Sequence, residues 1–214
     1  VSSMQLDTLE RGFSFMRDGP LDMRMSNEGM SAQDVINNMD ENALADIIFK
    51  YGEEQQSRRI AKFIVNARRT EEISTTIQLA NIIRSAIGKV HLKKKIDPAT
   101  KTFQAIRIYI NRELDALEQL LSDSKKLLKI GGKLIVVSFH SLEDSIVKNF
   151  FKEHSEKKVA RSKYSLIAPS MDPNLWLNII TKKPIIPSEQ EIKENIRSRS
   201  AKMRVAEKRG VDVI

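Results

Sequence analysis

The sequence contains no cysteine. That absence excludes a disulfide framework, a thiolate zinc site and a cysteine nucleophile within these residues, and metal ligation is not expected. No run approaches the roughly 20 apolar residues that a membrane-spanning helix needs, and no basic-then-apolar leader stands at the start. A cytoplasmic protein with no membrane partner is therefore expected. The nucleophile-elbow pattern G-x-S-x-G is also missing, which argues against a serine hydrolase built on His140, Ser141 and Asp144. The chain does not open on methionine: Val1-Ser2-Ser3 reads like the tail of a strand, with further residues expected upstream.

What is present is enough for one full domain plus an insertion. The 214 residues are 41% hydrophobic and 30% charged, a balance that supports a sizeable core. Lysine and arginine total 36 against 28 acidic residues, for a formal charge of +8. The basic residues cluster at 89–95, 148–163 and 197–209, so a polyanionic partner such as RNA or DNA competes with the blander account, solubility.

The organising stretch is GGKLIVVSFHSLEDSIVK, residues 131–148. Leu134–Val137 is an unbroken apolar run, as expected of a strand buried on both faces of a parallel sheet. Ser141 is expected to cap and begin the next helix, because Ser-Leu-Glu-Asp has capping-box spacing and Leu142, Ile146, Val147, Phe150 and Phe151 share one face. Ligands bind beyond the carboxyl end of such a strand, so Ser138, Phe139, His140 and Ser141 face a candidate site.

Upstream, residues 4–28 are rich in turn chemistry. Phe13, Phe15, Met16, Leu21, Met23 and Met25 are expected to anchor them as an ordered active-site loop. Residues 31–88 read as helices only, with Ser31, Asp40 or Glu41, and Thr75 or Thr76 as starts and Gly52 and Gly88 as ends. They suggest a helical insertion whose Arg58, Arg59, Lys62, Arg68 and Arg69 either contact phosphates or form a solvated face. Asp97-Pro98 starts a helix expected to reach Leu121 and pack on the sheet, with Gly131-Gly132 turning into the strand as a right-handed crossover closes. Residues 154–173 read as a mobile basic segment. A strand over 175–181, a helix capped by Ser188 with Glu191, and a period-two strand at 201–205 follow, so a terminal antiparallel hairpin is expected.

Six segments together resemble one family: VSSMQLD at Val1, ERGFSFMRDGPLDMRM at Glu10, YGEE at Tyr51, PATKTFQAIRI at Pro98, GGKLIVVSFHSLED at Gly131 and RSRSAKMR at Arg197. The chain is similar to the bacterial small-subunit ribosomal RNA cytosine-N4 methyltransferases, the MraW type. The resemblance implies a Rossmann-like α/β fold, S-adenosyl-L-methionine as cofactor, and methylation of a decoding-region cytidine in small-subunit ribosomal RNA or in the assembled small subunit. On it, residues 1–30 and 89–214 are methyltransferase domain and 31–88 the helical insertion, a substrate-recognition element. Gln5 matches the family's cofactor-contacting glutamine. The family's other cofactor contacts precede the Val-Ser-Ser motif, so a catalytically inactive RNA-binding remnant is the alternative reading. Ser145, Asp97 and Ile196 depart from the family pattern, which has arginine, histidine and proline there. The oligomeric state stays open, a homodimer included.

The chemistry asks for particular residues. A cytosine amine is a poor nucleophile because its lone pair is delocalised into the ring, so it must be held close and aligned. Ser2 and Ser3 are candidates to accept its hydrogens, and His140 to bind the base or a phosphate; methylation at carbon would call for the cysteine this chain lacks. An extruded base is held by stacking. Phe15 and Phe139 are the favoured platforms, with Phe13 and Trp176 read as core. Arg17, Arg24, Arg199, Lys202 and Arg204 are expected to grip phosphates.

Overall fold

The computed structural model describes residues 3–88, 97–155 and 174–210. The expectations for Val1 and Ser2, for the basic run at 89–95, and for most of the basic segment up to Pro173 lie outside the described residues. The chain divides into two units, 1–113 and 114–214, each with a buried apolar cluster of its own. Among the described residues no helix is long and apolar enough to cross a membrane.

The described residues of the first unit open on α1, Ser3–Asp7, followed by a tight turn at Leu9–Arg11, so Ser3 is helical where the sequence suggested the end of a strand. The next helices begin where short polar residues satisfy their first amides. Ser31 Oγ accepts from Asp34 N at 3.2 Å while Asp34 accepts from Ser31 N at 2.8 Å, opening α2, Ala32–Asn38. Asp40 accepts from Asn42 N at 2.8 Å and opens α3, Glu41–Gly52. After α4, Ser57–Arg68, the Thr75–Gln78 capping box opens α5, Thr76–Ile87, which ends at Gly88 with φ 81°. Asp97 Oδ1 accepts from Ala99 N at 2.9 Å at the head of α6, Ala99–Asn111. Leu44, Ile48, Ile60, Ile64, Leu79, Ile83 and Ile106 meet in the core, each contributing about 1.5–3 kcal/mol on burial. The expected helix reaching Leu121 is interrupted: Arg112 adopts φ 48° and ends α6. A helix does not survive a left-handed residue. Its apolar face joins the helices of this unit, whereas the sequence suggested packing on a sheet.

The second unit holds most of α7, Glu113–Leu127, then β1, Lys133–Ser138; α8, Ser141–Glu153; β2, Leu177–Ile179; α9, Glu189–Glu194; and β3, Lys202–Lys208. The sheet order is β1-β3-β2, and both pairings are antiparallel. This corrects the expectation of a parallel sheet with a strand buried on both faces. Leu134 and Val136 face a cluster with Leu121, Val147, Phe151 and Trp176, but Ile135 is 57% and Val137 49% exposed. Four consecutive apolar residues do not reveal which neighbour they will have, because the partner of β1 lies some seventy residues downstream. The right-handed crossover accordingly has no counterpart among the described residues. The two late strands do pair antiparallel, and the Ser188–Glu191 capping box is present.

Candidate functional site

The turn after β1 is built by a cap one residue earlier than the sequence suggested. His140 Nδ1 accepts from Glu143 N at 3.3 Å, and Glu143 Oε2 accepts from Phe139 N at 2.8 Å and His140 N at 3.3 Å. His140 is thus the residue that caps α8, and Ser141 is its first helical position. A ring that accepts at Nδ1 carries its proton at Nε2 when neutral. That atom is buried and lies 3.4 Å from Glu143 Oε1, without hydrogen-bond geometry. Burial pushes the Glu143 carboxyl up, but the His140 side chain and the two amides outweigh it and hold the carboxyl below its ordinary value. Phe139 projects beside this cap, 54% exposed.

Asp144, one residue on, anchors α8 to β3. Arg204 Nε and Nη2 reach its two carboxylate oxygens at 2.7 and 3.1 Å, and Lys202 Nζ approaches at 3.4 Å. The Arg204 and Asp144 side chains are only 9% and 11% exposed. The Arg204 hydrogen bonds, against the upward push of burial, hold the Asp144 carboxyl below its ordinary value. Arg204 and Lys202, expected on phosphates, therefore face a carboxylate; Arg199 is exposed in a short helical turn at Ile196–Ser200.

In the first unit the stretch Asp18–Met25 is fixed on three sides. Leu21 N donates to Ser74 O at 2.9 Å and Thr76 N to Gly19 O at 2.9 Å at the head of α5. Ala32 N and Gln33 N donate to Asp22 O and Leu21 O, both at 2.7 Å, at the head of α2. Asn111, at the end of α6, donates to Met23 O at 2.8 Å and accepts from Met25 N at 2.7 Å. Gly12 permits this closeness: with φ 66°, a Cβ there would stand 2.1 Å from Pro20 O. Phe13, Leu21 and Met23 are the buried anchors; Met16 is 81% exposed and anchors nothing.

Candidate residues on this stretch have defined neighbours. Arg24 places Nε and Nη2 on Asp22 at 2.7 and 3.0 Å and Nη1 on the Asn27 and Gly29 carbonyls. Those bonds, Arg24's above all, hold Asp22 below the usual carboxylate range. Phe15 packs edge-on against Phe103 with centroids 4.7 Å apart, under the Arg84 guanidinium at 5.8 Å. Arg84 in turn pairs with Asp97 at 2.7 Å, at one of the positions that depart from the family pattern. Arg17 is exposed, its Nη2 3.4 Å from Asp7 O. Gln5 is half-buried on α1, and Ser3 begins that helix. Sequence reasoning missed the partners of these groups: Asp22, Glu143, Asp144 and Asn111. The spacing of Asp22 to Arg24, and of Lys202 to Arg204 on one strand face, was the available signal.

The sequence model of the MraW methylase family matches residues 1–209. The chain belongs to the MraW methylase family. A Rickettsia akari (strain Hartford) protein named ribosomal RNA small subunit methyltransferase H is 62% identical over 208 residues, 97% of this chain and 67% of that protein. Proteins of the same name from Rickettsia prowazekii (strain Madrid E) and Rickettsia bellii (strain RML369-C) are also 62% identical over 208 residues, 97% of this chain and 67% and 68% of theirs. The chain thus spans about two thirds of the length of these family members. The family implies a methyltransferase fold using S-adenosylmethionine. The mixed helices and small antiparallel sheet are the portion of it described here.

Proposed function

We propose that this chain belongs to an S-adenosylmethionine-dependent methyltransferase that modifies the N4 amine of a cytidine in the decoding region of small-subunit ribosomal RNA. The observation that carries the reading is 62% identity across 97% of the chain to proteins named for methylating small-subunit ribosomal RNA. In this reading residues 31–88 form the helical insertion within a Rossmann-like frame, in a cytoplasmic enzyme. The cofactor, when bound, supplies the electrophilic methyl group. The residues described here do not by themselves fit it: one half-buried amide, Gln5, does not enclose a charged nucleoside.

The remaining roles belong to this chain's own residues. Ser2 and Ser3 accept hydrogens from the amine and localise its lone pair along the line of attack. Phe139, exposed beside the His140 cap, offers a face for the extruded base, with Phe15 as the alternative platform. His140 Nε2–H, buried against Glu143 in the free chain, is uncovered as RNA binds and then donates to the base or an adjacent phosphate, while the Asp144–Arg204 pair holds the head of α8 in place. Arg17, Arg24, Arg199 and Lys202 supply positive charge along the RNA path.

The test joins the chain to the remaining third of a rickettsial relative and follows transfer of labelled methyl groups to small subunits lacking the modification. Labelled N4-methylcytidine at a single decoding-region site is expected; label at a carbon or in another region overturns the assignment. His140→Ala is expected to lower turnover at least tenfold. His140→Asn, which retains a capping acceptor, should restore stability but not turnover; full rescue by asparagine would reduce His140 to a cap. The second reading is an RNA-binding protein without catalysis. Calorimetry with S-adenosylmethionine separates the two: RNA binding without cofactor binding, in both the chain and the chimera, selects the second.

A further inference from the structure

In the first unit a half-open cleft of about 460 Å³ runs between α3 and the head of α4, lined by Asp46, Phe49, Gln55, Gln56, Arg58 and Arg59. None of these belongs to the site described above. α3 buries Leu44, Ala45, Ile47 and Ile48 and leaves Phe49 55% exposed on its outer face. An exposed phenyl face forgoes the stabilisation that burial would bring. The side-chain amides of Gln55 and Gln56 have no hydrogen-bond partner among the described residues. Arg58 meets Asp46 at 3.9 Å with both side chains about three-quarters exposed, an ion pair of little consequence. Arg59 lies over the Phe63 ring at 5.9 Å, so a second aromatic with a stacked guanidinium continues the surface.

Lys50 and Lys62 are also exposed on the same two helices, so with the two arginines they stand against Asp46, Glu53 and Glu54, the last of which pairs with Lys101 at 3.6 Å. Arg68 does not join them: its guanidinium caps α2 through the Ile36 and Met39 carbonyls, both at 2.7 Å. An open aromatic face, free amides with both donors and acceptors, and flanking guanidinium groups match one ligand chemistry: an unpaired nucleotide in a polyanionic strand. The ring stacks on the base, the amides and Asp46 meet its Watson–Crick edge, and the arginines take the phosphates. A duplex hides its base faces and would leave Phe49 nothing to stack on.

We infer that the α3–α4 cleft holds a single-stranded RNA segment, at a site separate from the one that receives the target cytidine. The inference rests on the RNA-substrate reading proposed above and names a surface for it. The full chain is titrated against a fluorescent single-stranded RNA of about 12 nucleotides, within the usual span of such sites, and against a hairpin of equal length, across a range of salt. Preference for the single strand is expected. Phe49→Ala should weaken its binding about tenfold and Phe49→Trp preserve it. Arg58→Ala with Arg59→Ala should flatten the log–log salt slope by about 1.4, at about 0.7 for each phosphate left without its arginine. These exposed positions should leave the unfolding curve unchanged, and Lys193→Ala, on an exposed lysine of the other unit, should change neither affinity nor slope. Binding that survives both cleft variants, or no preference for the single strand, overturns the cleft and leaves the methyltransferase reading intact. Absence of any RNA binding by the parent chain overturns the cleft and counts against the RNA reading too. Loss of self-association on Phe49→Ala, seen by sedimentation, would assign the cleft to a second copy instead.

Discussion

At the residue scale the acid-labile contact is Asp144. Its folded carboxyl titrates below the usual 3.8, so the pair's contribution is complete above that value and disappears as pH falls through the lower folded one. Asp144→Asn leaves a buried guanidinium without its counter-charge and should cost about 3 kcal/mol at pH 7. Urea unfolding at pH 7 and near pH 3 should show the gap between wild type and variant shrinking at the lower pH. A gap unchanged across that interval would mean the carboxylate's charge is not what stabilises. Sequence reading placed Asp144 in a capping role and Arg204 on phosphate. Each is a reasonable use of the residue alone, and only the packing of α8 against β3 brings them together. The His140 cap was missed for a similar reason: Ser141 has the better capping chemistry, but the backbone turns one residue earlier.

At the element scale the helices were legible and the sheet was not. Ser31, Asp40, Thr75 and Ser188 mark helix starts through bonds that close within four residues, so the signal is local. The register of β1 against β3 is fixed by pairs such as Ile135 with Val205, and no local pattern encodes it. The break at Arg112 was equally hidden, since arginine is a good helix former. Gly52 shows how one element constrains another: its added Cβ would lie 2.6 Å from the Lys101 carbonyl, where α3 meets α6. Alanine gains about 1 kcal/mol of helix propensity but forces two backbones apart, typically at 1–3 kcal/mol. A net loss of about 1 kcal/mol is expected for Gly52→Ala, read as a lowered urea midpoint; an unchanged or raised midpoint would show that α3 and α6 separate freely.

At the scale of the whole molecule, the described residues form two apolar clusters with no residue in common. Their independence has a thermal signature: Gly52→Ala should move one unfolding transition and Asp144→Asn another in calorimetry. A single transition displaced equally by both would show one cooperative block. Family membership was legible because long segments such as ERGFSFMRDGPLDMRM carry it. The structure then explains that stretch as the piece pinned by α2, α5 and α6.

The exposed face of β1 has a practical consequence. Ile135 and Val137 stand about half exposed there, and neither carries a charge to discourage association. A charge placed at either position should lower the turbidity of concentrated samples.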